Sequence, residues 1–187
     1  NHGNISASGT YKGVGGVAGE VGHNTGTVSC KDNAYVKYCA NFGNISGDNA
    51  ESYVGGIVGF MQEGSVSKGN CCLYDCYNRG EILSDHTEDT GGILGQADHY
   101  NTVYRNINFG KVHYGNAIIG YRKNGNCILY VDDNYFLEGS GKDWKATDSF
   151  SESEIGKSST YKGFDFSSVW EIVDGYPYLK YNIFQRT

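Results

Sequence analysis

The sequence predicts an all-β chain. It reads as a parallel β-solenoid of about four to five coils over residues 1–139, followed by a C-terminal aromatic cap over residues 140–187. Three observations predict this. Glycine accounts for 28 of 187 residues, roughly twice the usual share of about 7%. Short motifs recur along the chain with a loose period, the mark of a repeat array whose insertions loop out of a conserved coil. Between Gly, Asn and Ser punctuation, apolar and polar residues alternate, as in short strands joined by tight turns. A helix is excluded, because each interior glycine costs about 1 kcal/mol relative to alanine.

The first motif is Asn-x-Gly-x-aliphatic, at Asn1–Ile5, Asn41–Ile45, Asn78–Ile82 and Asn108–Val112. The second is Gly-Gly-aliphatic-aliphatic-Gly, at Gly15–Gly19, Gly55–Gly59 and Gly91–Gly95, and it is degraded to Asn116–Gly120 in the fourth copy. A third pairs a small or polar residue with an apolar one two positions on, ending at Val28, Val66, Val103 and Cys127. Three short strands per unit would place like residues about 4.8 Å apart in neighbouring coils. The expected columns are Ile5, Ile45, Ile82 and Val112; Val17, Ile57, Ile93 and Ile118; and Val28, Val66, Val103 and Cys127. Each buried aliphatic contributes roughly 1.5–3 kcal/mol. The connections holding Lys31–Tyr35 and Lys68–Cys72 are long, and are expected to bulge side by side as a binding surface. Right-handed winding is the expectation for parallel crossovers.

The repeat stops after Asn134–Gly139. Ser151 ahead of Glu152 and Glu154 suits a helical-turn N-terminus. Farther on, Asp174-Gly175 between two apolar runs predicts a tight hairpin turn. Trp170 reads as a core anchor. The aromatic tail is expected to cover the open end of the coils, where unpaired strand edges need blunting.

Net charge is −6, which disfavours nucleic acid as a partner. No apolar run approaches the roughly 18 residues of a membrane span. Six cysteines are present, but no CxxC…CxxC zinc pattern. They read as small buried hydrophobes, with Cys39 and Cys76 aligned in neighbouring coils as a stack of free thiols. His-Glu-x-x-His, Gly-x-Ser-x-Gly and phosphate-loop motifs do not occur. The chain opens on Asn1 inside a repeat, and so reads as part of a longer polypeptide.

The Gly-Gly-aliphatic-aliphatic-Gly runs, together with Asp75–Ile82 and the closing Trp170–Leu179, resemble the GLUG repeat of bacterial surface and adhesin-like proteins. That repeat is also found in non-catalytic regions of immunoglobulin A-cleaving metallopeptidases. The resemblance implies a β-solenoid shape and an extracellular or cell-surface location. It carries no catalytic residue onto this chain. The expected function is a non-enzymatic module for adhesion, ligand presentation or spacing, without a cofactor, and its expected partner is a host glycan or surface protein. The alternatives are an accessory substrate-binding domain of a larger extracellular peptidase and a carbohydrate-active β-helix enzyme.

Two groups of candidate site residues stand out. Asp85, Glu88 and Asp89 form the densest acidic cluster and could hold a hard cation. Tyr100, Tyr104, Tyr114, Tyr121 and Tyr130 gather in the later coils, where phenol rings could stack on sugars.

Overall fold

A computed structural model of the chain describes residues 1–8, 13–22, 33–47, 52–62, 70–85, 89–98, 100–122, 129–142 and 147–180. Among these the fold is all-β and β-helix-like, built from parallel sheets, with no α-helix.

The first pass of the chain lays down β1 (Ile5–Ala7), β2 (Gly13–Gly15), β3 (Ala18–Val21), β4 (Ala34–Lys37) and β5 (Ala40–Asn41). The second repeats the order as β6 (Ile45–Gly47), β7 (Tyr53–Gly55), β8 (Val58–Met61), β9 (Cys71–Tyr74) and β10 (Tyr77–Asn78). The third gives β11 (Ile82–Ser84), β12 (Thr90–Gly91), β13 (Leu94–Ala97), β14 (Asn101–Tyr104) and β15 (Ile107–Asn108). The fourth contributes β16 (Ile119–Arg122), β17 (Leu129–Asp132) and β18 (Asn134–Leu137), and β19 (Thr147–Phe150) follows. Each of the first three passes adds one strand to each of five sheets, A to E, and among the described residues the fourth adds one each to C, D and E. The sheets are β1-β6-β11, β2-β7-β12, β3-β8-β13-β16, β4-β9-β14-β17 and β5-β10-β15-β18-β19.

Each of the first three coils thus has five strands, not three. The residues expected to bulge, around Tyr35 and Cys72, instead pair in register as β4 and β9 of sheet D. Alternation in Ala-Tyr-Val-Lys and Cys-Cys-Leu-Tyr, inward then outward, is what makes them strands. The column assigned to Val103 changes with them. Val103 stacks on Leu73 and Val131, and Leu73 on Val36. Val28, Val66 and Cys127 lie outside the described residues. The other two columns are in register as expected, and all their residues are buried or half-buried but Val17, which is exposed in the first coil. Ile5, Ile45 and Ile82 are in register and Val112 bridges to Ile82. Val17, Ile57, Ile93 and Ile118 are tied by hydrogen bonds from each amide to the next coil's carbonyl, 3.0 Å each.

The Asn-x-Gly motif has a direct physical reading. Asn1, Asn41, Asn78 and Asn108 form a ladder. Each Nδ2 donates to the next Oδ1 at 2.8, 2.8 and 2.9 Å, and also to the carbonyl of the glycine two residues on. This satisfies a line of buried amides that would otherwise be costly. The glycines are required because these corners stack with no gap: a Cβ on Gly80 would stand 2.0 Å from the Gly43 carbonyl oxygen.

The Gly-Gly motif faces this ladder. A Cβ on Gly56 would lie 2.1 Å from the Gly92 oxygen and 2.5 Å from Asn78 Cγ. The first glycine brings sheets B and C together: a Cβ on Gly55 would lie 1.9 Å from the Val58 oxygen. The contact between asparagines and glycines divides the interior. On one side Val14, Ile45, Val54, Ile82 and Val112 pack between sheets A and B. On the other, Ile57, Val58, Leu73, Ile93, Leu94, Val103 and Phe136 fill the space inside sheets C, D and E.

A second ladder turns the corner from sheet D to sheet E. Tyr38, Asp75, Arg105 and Asp133 all have positive φ, from 50° to 57°, a conformation that costs non-glycine residues about 1–2 kcal/mol each. The next residue of each coil offsets this with a side-chain donor aimed at the carbonyl two residues earlier. Asn106 and Asn134 use Nδ2, to Tyr104 O and Asp132 O at 3.1 and 3.0 Å. Cys39 and Cys76 use Sγ, to Lys37 O and Tyr74 O at 3.2 Å each. Both cysteines are free thiols, standing in for asparagine at the turn.

The parallel ladder continues past residue 139: β19 pairs with β18 over Asn134–Leu137. Residues 151–180 then lie along the outer face of sheet E instead of across the end of the stack. The reason is the apolar outward columns of that sheet: Tyr77, Ile107, Tyr135 and Phe150 pack with Ile155, Tyr161, Phe164, Trp170 and Leu179. Two short 3₁₀ turns, Glu152–Glu154 and Ser158–Thr160, lead into a hairpin of β20 (Trp170–Val173) and β21 (Tyr176–Leu179). Asp174 and Gly175 both have positive φ, 49° and 80°, as a two-residue I′ turn requires. Glu154 accepts the Ser151 amide at 2.9 Å, which holds its carboxyl below the usual range.

Arg79 fastens the hairpin to the coils. Its guanidinium lies 4.4 Å from the Tyr178 ring centre, 4.8 Å from Tyr176 and 5.3 Å from Phe109, and Nη1 donates to the Tyr178 hydroxyl at 2.9 Å. Nε and Nη2 are buried with no hydrogen-bond partner among the described residues. Aromatic faces are therefore what meets the charge there.

Candidate functional site

The acidic cluster is described only in part. Asp85 follows β11 and is exposed, Asp89 precedes β12 and is half-buried, and Glu88 lies outside the described residues. Among the described residues no group of three or more His, Cys, Asp or Glu side chains is placed to hold a metal.

The tyrosines sort by sheet instead of by coil number. Tyr104 and Tyr130 both point outward from sheet D. Tyr100 sits at a turn ahead of β14, with φ of 59°. Tyr114 is exposed at the corner between sheets A and B. Tyr121 belongs to β16 in sheet C, and its side chain lies outside the described residues. The later-coil cluster thus reduces to two rings on one face.

That face gains three tyrosines from the earlier coils. Register places Lys37, Tyr74, Tyr104 and Asp132 in one outward column, and Tyr35, Cys72, Thr102 and Tyr130 in the next. Tyr38 flanks them at the corner. Tyr35, Tyr38 and Tyr130 are 56%, 49% and 62% exposed. Tyr74 and Tyr104 stack at 4.8 Å with planes 13° apart. Tyr35 and Tyr38 meet Tyr74 edge-on at 6.4 and 6.1 Å. The signal that could have found this face is an aligned tetrad of alternating residues, 34–37, 71–74, 101–104 and 129–132. It is easily missed because its outward positions hold five different residue types.

Two cations border the rings. Lys37 Nζ lies 5.3, 5.8 and 5.9 Å from the centres of Tyr38, Tyr74 and Tyr35. A hydrogen bond with Tyr74 holds its ammonium above the ordinary lysine range. Arg105 lies 4.5 Å over Tyr104 and 5.7 Å from Tyr74. Its Nε and Nη2 donate to the two oxygens of Asp75 at 2.9 and 2.7 Å, and this pairing keeps the guanidinium charged. Asp75 is buried and also accepts Trp170 Nε1 at 3.0 Å. Sheet D's face is thereby anchored from behind to the tail. Burial raises the Tyr104 phenol, so the ring stays neutral over the physiological range.

The thiols beneath this corner differ in reactivity. A hydrogen bond shared with the Cys76 sulfur lowers Cys39 to about 7. Burial pushes Cys76 well above the ordinary range and Cys71 up to about 11, and it also raises Cys72. The thiolate is the nucleophile, so deprotonation raises the rate. Iodoacetamide is therefore expected to alkylate Cys39 with a half-maximal rate near pH 7, while Cys71 and Cys72 respond only at more alkaline pH. Peptide mapping of pulse-labelled protein checks this; a Cys39 rate still rising steeply above pH 8.5 would contradict it.

No helix among the described residues is long and apolar enough to cross a membrane. What the arrangement can do chemically is present a strip of phenol rings with cations at its edge, a surface for contact. Comparison of the chain with protein-family models, with curated proteins and with solved structures finds no match.

Proposed function

We propose that the chain is a non-enzymatic adhesion or ligand-presenting module of a bacterial cell-surface or secreted protein, built as a right-handed β-solenoid of GLUG-type repeats and flanked by its aromatic tail. One observation carries the reading. Tyr35, Tyr38, Tyr74, Tyr104 and Tyr130 are displayed along four coils on one outward face. Exposed aromatic rings gathered on one face mark contact sites on soluble proteins, and tyrosine gives contact area at low entropic cost. The candidate partner classes are a host glycan and a host surface protein.

A binding screen of the chain against a glycan array and a panel of host surface proteins tests the proposal. A saturable ligand is expected. Tyr74→Ala and Tyr104→Ala should each weaken it about tenfold, in line with roughly 0.5–1.5 kcal/mol per ring contact beyond its area. Tyr114→Ala, on another corner, should leave it unchanged. Binding that ignores Tyr74 and Tyr104 would move the site off sheet D, and folded protein that binds nothing in either panel would overturn the adhesive reading.

A further inference from the structure

The outward columns of sheet D have an internal symmetry. From the first coil to the fourth, one column reads Lys37, Tyr74, Tyr104, Asp132: a cation, two rings, an anion. Its neighbour reads Tyr35, Cys72, Thr102, Tyr130: a ring, two small residues, a ring. Turned end over end, the first column places its anion opposite a cation and its rings opposite rings. The second becomes a copy of itself in chemical type.

We propose that sheet D is a self-pairing face, and that its partner is a second copy of this chain. The two copies meet face to face about a twofold axis that runs along the strand direction, between the second and third coils. Lys37 then meets the partner copy's aspartate at position 132, and the reverse, while Tyr74 and Tyr104 cross at the centre. Tyr35 at one end meets the ring at position 130 of the other copy. An isologous contact of this kind needs only one surface and closes on itself. Arrangement of opposite charges at the two ends sets its register and rejects the parallel alternative, in which like charges would meet.

The pairing rests on the adhesion reading of the tyrosine face and names its partner. The twofold axis makes the two coil stacks antiparallel, which is the geometry of copies projecting from two facing surfaces. The patch is small. Four strands at about 4.8 Å spacing span roughly 14 Å between the outer two. With four residues at about 3.3 Å along each strand, the patch covers roughly 200 Å², well below the area of a standard stable interface, about 800 Å² per partner. One contact is therefore transient, and many copies on each surface make the junction durable.

Charge exchange tests this. The chain and two variants, Lys37→Glu and Asp132→Lys, are coupled densely to beads of two colours. Beads carrying the unaltered chain are expected to clump. Beads carrying either variant alone should clump at least tenfold less, because each now meets like charge at both ends. A mixture of the two variants should clump again. The new carboxylate at position 37 of one copy then faces the new ammonium at position 132 of the other, and the unaltered Asp132 and Lys37 pair at the opposite end. Asp132 Oδ1 also accepts the Asp133 amide at 3.0 Å, so Asp132→Asn, which keeps an acceptor there and removes only the charge, serves as a second variant and should weaken clumping severalfold. Unaltered beads that stay dispersed would overturn the pairing. So would a variant mixture that fails to clump while unaltered beads do. The same beads are scored against the glycan and host-protein panels: binding there without self-clumping sinks the pairing and spares the adhesive reading, and clumping without such binding does the opposite for host ligands.

Discussion

Gly56→Ala is expected to cost this protein most of its stability, about 4 kcal/mol or more, at the extreme of what single substitutions do. The added methyl would stand 2.1 Å from the Gly92 carbonyl oxygen and 2.5 Å from Asn78 Cγ. Neither neighbour can yield cheaply. The amides of the residues flanking this contact hold the coils in register: Gly56 N–H donates to Gly91 O at 3.3 Å and Gly92 N–H to Asn116 O at 3.1 Å. Asn78 is fixed above and below in its ladder. Relief would require breaking that ladder or separating the coils, and either exposes buried amides. Gly3→Ala is the control. Its methyl would find only the Asn1 side chain, at 3.8 Å, so its effect should fall within about 0.5 kcal/mol of zero. Urea unfolding followed by far-ultraviolet circular dichroism measures both. A Gly56→Ala protein within 1 kcal/mol of the parent would show that the two interior cores are not pinched together as described.

The second large effect is at Asp75. Asp75→Ala removes a buried carboxylate that takes two bonds from Arg105 and one from Trp170 Nε1, an indole that is fully buried. Breaking a buried ion pair typically costs 3–5 kcal/mol. The Arg105 side chain is 28% exposed and can recover some hydration, so the expected loss is near the lower bound, about 3 kcal/mol. Asp75 also holds a positive φ, which alanine tolerates less well than aspartate. Loss of the tail's attachment should appear before global unfolding, as rapid proteolysis within residues 151–180 under conditions where the coils remain intact. Asp75→Asn, which keeps the shape and two of the contacts, should fall between. An Asp75→Ala tail as protease-resistant as the parent's would mean that Arg79 and the aromatic cluster hold it without this bond.

Much of the coil was legible in the residues. Parallel, in-register stacking puts each side chain about 4.8 Å from its counterpart in the next coil, so like residues recur at like places, and the recurrence can be read as a column. Ile5, Ile45, Ile82 and Val112 form one such column; Val17, Ile57, Ile93 and Ile118 form another. The Asp174-Gly175 turn was readable for a local reason, since both residues must take positive φ. Sheet D was not legible. Its inward column, Val36, Leu73, Val103 and Val131, is as regular as the others, but variable connections precede it and hide the register. Cys39 and Cys76 were visible as aligned thiols. That they do the work of Asn106 and Asn134 became clear only once all four were seen to donate to the carbonyl two residues back.

The sequence by itself determined the all-β class, the coil repeat and the residues that line most of its interior, because these depend on spacing along the chain. Tertiary structure alone decided where the tail lies, which tyrosines share a face, and that a charged column runs through them. Trp170 reaches Asp75 across 95 residues, and Arg79 reaches Tyr178 across 99. No local pattern encodes such a partnership. It arises because sheet E turns its aromatic columns outward, where burial against another aromatic segment is worth more than exposure to water, and because each corner's backbone sets which of two alternating side chains meets solvent.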